Sequence, residues 1–101
     1  MRRSGKWIPG RCFHLQVAER GGEASCSRLG LAVSRRVGPA VTRNRIKRRF
    51  RELFRGLSGD FAQPVDLVVI ARRGVDRLPF SELKQQFTRA LRPWLRAPLQ
   101  E

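Results

Sequence analysis

Long apolar runs are missing from this 101-residue chain, and none approaches the ~18–20 residues that a membrane-spanning helix needs. MRRSGKWIPG opens with a basic pair, but no apolar signal core follows it. A cytoplasmic protein with no membrane partner is therefore expected. Cysteine is nearly as scarce. Cys12 and Cys26 are too few for a disulfide framework and lack metal-ligand spacing. Histidine occurs once, at His14, where a catalytic role would need a carboxylate or nucleophile in reach. Its neighbourhood supplies only Glu19 and Glu23, near a turn. Glu52, Asp60, Asp66, Asp76 and Glu82 are scattered, and no glycine-rich phosphate loop is present. The sequence thus predicts no catalytic residue, no metal site on the protein and no small-molecule substrate.

The scarcity that matters most is of negative charge. Eight Asp and Glu stand against 22 Lys and Arg, a formal net charge of +14. Such an excess repels itself unless a polyanion neutralises it, with nucleic acid the first candidate and an anionic membrane the second. With 41% hydrophobic residues the chain is too apolar to be wholly disordered, and its length suits one domain, residues 1–101. Internal repeats and interdomain linkers are absent from the sequence.

RCFHLQV alternates Phe13, Leu15 and Val17 with Cys12, His14 and Gln16, and RLGLAVS repeats the pattern through Leu29, Leu31 and Val33. Across a turn at Gly21-Gly22 the two predict an antiparallel hairpin. In that register Cys12 lies opposite Leu31 and Cys26 opposite Val17, so both thiols are expected free and at least half-buried. Trp7 and Ile8 suggest a short preceding strand. PVDLVVIA, apolar on both sides, predicts an interior strand covered by helices. Phe80, Leu83, Phe87, Leu91 and Trp94 mark a last amphipathic helix ending or kinking near Pro93. The spacing of Trp7, Phe80, Phe87 and Trp94 suggests core rather than an RNA-stacking platform. The order β-β-α-β-α gives an α+β two-layer sandwich, with a mixed sheet of three or four strands. The two strands flanking the first helix should be parallel, with a crossover ordinarily right-handed.

That first helix carries the strongest signal. AVTRNRIKRRFRELFR, Ala40 to Arg55, packs seven basic residues into sixteen, with a single acid. Ile46, Phe50, Leu53, Phe54 and Leu57 nevertheless follow one helical stripe. Pro39 could begin the helix, or Thr42 could cap it. Lys47, Arg51, Asn44, Arg55, Arg48, Glu52, Arg45 and Arg49 sweep the opposite side, with Arg43 at the N-terminal end. An ordinary solvated face would mix signs and form i,i+4 acid–base pairs; here one acid faces seven bases, which repel one another unless bound. Cations also crowd the positive end of the helix dipole, which stability alone would disfavour.

SRRVGPAVTRNRIKRRFRELFR resembles the signature of the protein subunit of bacterial ribonuclease P. There, a Val-Ser-basic-basic strand end and a Gly-x-Ala-Val turn lead into an RNR-x-x-KR-x-x-R helix. Val33, Ser34, Arg35, Arg36, Gly38, Ala40 and Val41 match it, as do Arg43, Asn44, Arg45, Lys47, Arg48 and Arg51. RLGLAV and DLVVIAR on either side extend the likeness from about Arg11 to Arg73. The resemblance implies a ribosomal protein S5 domain 2-like fold with a left-handed crossover through the RNR helix, replacing the right-handed expectation. It implies a non-catalytic subunit of a tRNA-processing endonuclease, whose RNA holds the Mg2+ and removes the 5′ leader of precursor tRNA. Arg43, Asn44, Arg45, Lys47, Arg48 and Arg51 would then contact the catalytic RNA. His14, Gln16, Ala32 and Ser34 would line the leader groove, with Arg35 or Arg36 at its edge.

Two departures bear on that groove. The family usually has an N-terminal helix forming one groove wall, and only MRRSGKWIPG precedes the first strand here, so that wall is expected to be missing. Gln16 stands where the family often has an aromatic residue. A ribosomal or general structured-RNA-binding protein is the rival reading. A DNA-binding helix ranks last, because the sequence lacks the short preceding helix of a helix-turn-helix.

Overall fold

A computed structural model describes residues 5–22 and 24–96. Its elements are β1 (Lys6–Ile8), β2 (Phe13–Glu19), β3 (Arg28–Ala32), α1 (Ala40–Leu57), β4 (Val65–Ala71) and α2 (Phe80–Leu91). Single 3-10 turns follow β3, α1, β4 and α2. The result is an α+β fold with one four-stranded mixed sheet, ordered β1-β2-β4-β3. The short strand at Trp7 and Ile8 is present as β1, antiparallel to β2. As the β-α-β order requires, β3 and β4 are parallel.

The expected hairpin between β2 and β3 does not form. β4 lies between them, antiparallel to β2 over seven register pairs from Phe13↔Ala71 to Glu19↔Val65. The reason is β4's composition. Val65, Leu67, Val69 and Ala71 are buried on one side, while Val68 and Ile70 are apolar on the other. A strand with two apolar faces loses most by standing at an edge, so it takes an interior place. The end of β2 and the start of β3 therefore lie two strand places apart, roughly 10 Å. Gly21 and Gly22, at φ +63° and +60°, make the turn where side chains would be strained. The segment between β2 and β3 is tied to the start of β4 at both ends. Arg20 N–H donates to Pro64 O at 2.9 Å, and Val65 N–H donates to Ser27 Oγ at 3.0 Å. Both cysteines are free, Cys12 half-buried and Cys26 exposed. The exposed Cys26 departs from expectation because the register that would have covered it does not exist.

Both helices pack on one face of the sheet. The rings of Phe13, Phe50 and Phe87 meet there, with centroids 5.3 to 6.4 Å apart, at separations typical of attractive aromatic pairs. Ile46, Phe50 and Leu53 of α1, and Leu83, Phe87 and Leu91 of α2, are buried against Leu15, Val17, Leu67 and Val69. Phe54, Leu57 and Trp94 pack at the margin of this core. Phe80 is the exception: at the first position of α2 it remains 37% exposed, because the helix reaches the sheet only at Leu83. Nor do helices cover β4 on both sides, since its Val68 and Ile70 belong to the face that carries no helix.

Candidate nucleic-acid interface

Pro39, extended at φ −68°, forms the N-cap of α1, and Thr42 lies inside the helix without capping it. The first turn holds no acid, so nothing local offsets the cations that follow. Burial of Ile46, Phe50 and Leu53 fixes the rotation of the helix. Asn44, Arg45, Arg48, Arg51 and Arg55 are thereby exposed, and Lys47 is half-buried. Among the described residues none of these six side chains forms an ion pair or a hydrogen bond of its own. The recorded ion pairs, from Arg20 and Arg28, both end on Asp66 across the sheet. Glu52, exposed on the same helix, is not bridged to any of its basic neighbours.

Two arginines do something else. Arg43 is part-buried, and its Nε donates to Gly38 O at 3.1 Å, bracing the turn into the helix. Arg49, expected on the solvent sweep, donates Nη1 to Leu78 O at 2.9 Å and ties α1 to the segment before α2. Helical spacing alone puts Arg49 outward; only the neighbouring loop reveals a carbonyl within its reach.

The second surface is the open face of the sheet. Side chains alternate between faces along a strand, and the register aligns three rows across this one. Trp7, Gln16, Val68 and Gly30 form one row, and His14, Ile70 and Ala32 the next. Ala18, Asp66 and Arg28 close the series; there Arg28 grips Asp66 with two bonds of 2.8 and 3.1 Å. Those hydrogen bonds, and then the carboxylate's charge, raise the Arg28 pKa. The middle of the face is apolar and small-sided, and Gly30 and Ala32 leave the backbone approachable. Trp7 is 50% exposed, its ring 4.9 Å from that of His14. This aromatic was expected in the core, but its three-residue strand at the sheet edge places it on the face beside Gln16. Val68 and Ile70 are further floor residues that the candidate set lacked. Their signal was the double-sided apolarity of PVDLVVIA. Gly10 N–H donates to His14 Nδ1 at 3.1 Å, so the ring proton of a neutral His14 sits on Nε2.

Ser34, Arg35 and Arg36 are exposed just beyond β3. Arg73, after β4, donates Nε to Arg36 O at 3.3 Å. Ser34, Arg36, Arg72 and Arg73 border a cavity of about 600 Å³ at this end of the sheet. Arg72 and Arg73 were overlooked because their place beside Arg36 depends on the parallel β3–β4 pairing. For Mg2+ the donor set does not fit. Among the described residues no three His, Cys, Asp or Glu side chains gather, and Asp66 is committed to arginines. No helix among the described residues is long and apolar enough to cross a membrane.

Comparison with known proteins decides the family. A model described as Ribonuclease P matches residues 1–94. The chain belongs to the ribonuclease P protein family. The ribonuclease P protein component of Streptococcus pneumoniae is 45% identical over 65 residues, which cover 64% of this chain and 53% of that protein. The chain thus spans about half the length of the curated relatives it matches. The solved ribonuclease P protein of Thermotoga maritima, in complex with 1-(4-fluorophenyl)-2-thiourea, superposes with a TM-score of 0.75 at 31% identity. That match covers 86% of this chain and 83% of the other. The Staphylococcus aureus ribonuclease P protein gives 0.73 at 27% identity, covering 88% and 80%. Membership in the ribonuclease P family agrees with the α+β architecture.

Proposed function

We propose that the chain is the RNA-binding protein subunit of ribonuclease P, and that it assists a catalytic RNA in endonucleolytic removal of the 5′ leader from precursor tRNA. The observation that carries this reading is the unpaired basic face of α1. Asn44, Arg45, Lys47, Arg48 and Arg51 stand on a helix locked by its own buried stripe, and among the described residues no acid is paired with them. Guanidinium groups fork onto phosphate oxygens, and an amide reads a base edge or a 2′-hydroxyl. Arg43 supports this surface by holding the turn at Gly38, its remaining guanidinium nitrogens still available for phosphate.

The open sheet face takes the leader. A single strand lies along Trp7, Gln16, His14 and Ala32, its bases against Trp7, Val68 and Ile70. Ser34, Arg35, Arg36, Arg72 and Arg73 hold phosphates where the strand leaves the sheet. Helices occupy the other face, so catalytic RNA on α1 and leader on the sheet do not compete. Mg2+ and the hydrolytic step belong to the RNA, and the protein supplies no catalytic residue. Its positive charge lowers phosphate repulsion between the two RNAs, and with it the Mg2+ concentration that the complex requires. The cytoplasm, where precursor tRNA is found, is the corresponding site of action.

The direct test adds the purified chain to its cognate ribonuclease P RNA at low Mg2+ and measures leader cleavage. Stimulation over RNA alone is expected. No stimulation, with equal affinity for unrelated structured RNAs, would favour a general RNA-binding protein. The groove has its own test in Trp7→Ala. One stacked base is worth ~1–3 kcal/mol, or roughly 5–150-fold. The variant should lose affinity in that range for leader-bearing precursor, while leaderless tRNA binds as before.

A further inference from the structure

β3 is one of the two edge strands of the sheet, and α1 does not cover all of its inner face. Leu29 and Leu31, which pair with Leu67 and Val69 and so face the helices, are left half-buried. Beside them opens a cleft of about 660 Å³, a size typical of sites that enclose small ligands, ~300–1,000 Å³. Its apolar floor is Leu29, Leu31 and Phe54. The Phe54 ring leans on Phe61, centroids 6.1 Å apart. Along the opposite wall Lys47, Arg51 and Arg55 stand at i, i+4 and i+8 of α1, and among the described residues no acid lines the cleft. Ser25, Cys26 and Ser27 form the lip.

We infer that this cleft takes one unstacked nucleotide of the RNA docked on α1, with its base against Phe54 and the leucines and its flanking phosphates on Lys47, Arg51 and Arg55. The inference rests on the proposed docking of ribonuclease P RNA to α1. Charge complementarity selects the occupant. The three wall cations continue the stripe of Asn44, Arg45 and Arg48, so a strand following its phosphates along the helix passes over the mouth. An apolar floor beneath a cationic wall suits a flat π-face attached to phosphate, and the lip hydroxyls suit the edge of a base. The cleft opens on the helix side of the sheet and is separate from the leader groove.

Cys26, exposed at the lip, serves as the reporter. The native chain is titrated with ribonuclease P RNA, and N-ethylmaleimide modification is followed by peptide mass spectrometry, which resolves Cys26 from half-buried Cys12. Saturating RNA should slow Cys26 modification at least about tenfold. Phe54→Leu keeps apolar bulk but removes the π-face, and should weaken RNA binding about fivefold or more with helicity retained by circular dichroism. Should that variant lose helicity, Cys26 protection in the native chain still decides. A complex that forms with Cys26 fully reactive overturns the cleft assignment and leaves docking on α1 standing. Protection with undiminished affinity of a folded Phe54→Leu overturns it too, because phosphates then cross the mouth without inserting a base. Equal protection by polyglutamate would assign the cleft to acidic peptides instead. Failure of the native chain to bind the RNA overturns both readings.

Discussion

Arg45→Ala combined with Arg48→Ala should lower affinity for ribonuclease P RNA roughly 100-fold while leaving the melting temperature within a few degrees of the parent. A charge-assisted phosphate contact is worth ~1.5 kcal/mol or more, and ~1.4 kcal/mol corresponds to tenfold in binding. Both side chains are exposed and form no bond within the described protein, so their removal takes nothing from the fold. It even relieves some repulsion along α1. The slope of log affinity against log salt should flatten by about 1–2, since each lost phosphate contact removes ~0.7–0.9. Filter binding across a salt series measures both effects. Unchanged affinity and slope would mean that the RNA docks elsewhere. Arg43 is a less informative target, because its bond to Gly38 O mixes a structural effect with the binding one.

Phe50→Ala should be the most damaging single change to the fold. Phe50 is fully buried, and its ring meets Phe13 at 5.3 Å and Phe87 at 5.7 Å, joining β2, α1 and α2. Truncating a buried phenylalanine typically costs ~3–5 kcal/mol, a large share of the ~5–15 kcal/mol that holds a domain together. At ~4–8 °C per kcal/mol, melting falls by at least about 12 °C. Phe80→Ala is the matched control. Phe80 is over a third exposed, and the change should shift melting only slightly. Thermal denaturation by circular dichroism compares the pair. A Phe50→Ala protein as stable as the parent would show that α1 is rotated relative to the sheet.

How much of this was legible beforehand differs element by element. The stripe Ile46, Phe50, Leu53 was readable because a helix sets its spacing from within, and the same stripe dictates which arginines stand outside. Leu83, Phe87 and Leu91 were readable for the same reason. Sheet order was not. The alternation in β2 and β3 tells which side chains share a face, but nothing about which strand lies next door. Chain proximity suggested a hairpin, whereas the two-sided apolar β4 claimed the place between. Trp7 was misjudged because a three-residue strand has too little periodicity to declare a face, and Arg49 because its acceptor, Leu78 O, lies 29 residues away. Of the candidate groove, His14 and Ala32 share a row and Gln16 occupies the next. The face supplies Val68, Ile70 and Trp7 besides.

The interior position of β4 also sets a timetable. On a ribosome β1, β2, β3 and the arginine-rich helix all emerge before the strand that joins them, so no pair beyond β1–β2 can form until β4 begins to clear the exit tunnel. Until then β2, β3 and the arginine-rich helix lack the strand against which their apolar faces pack. Closure of the sheet is thus a late, long-range event, slow by topology.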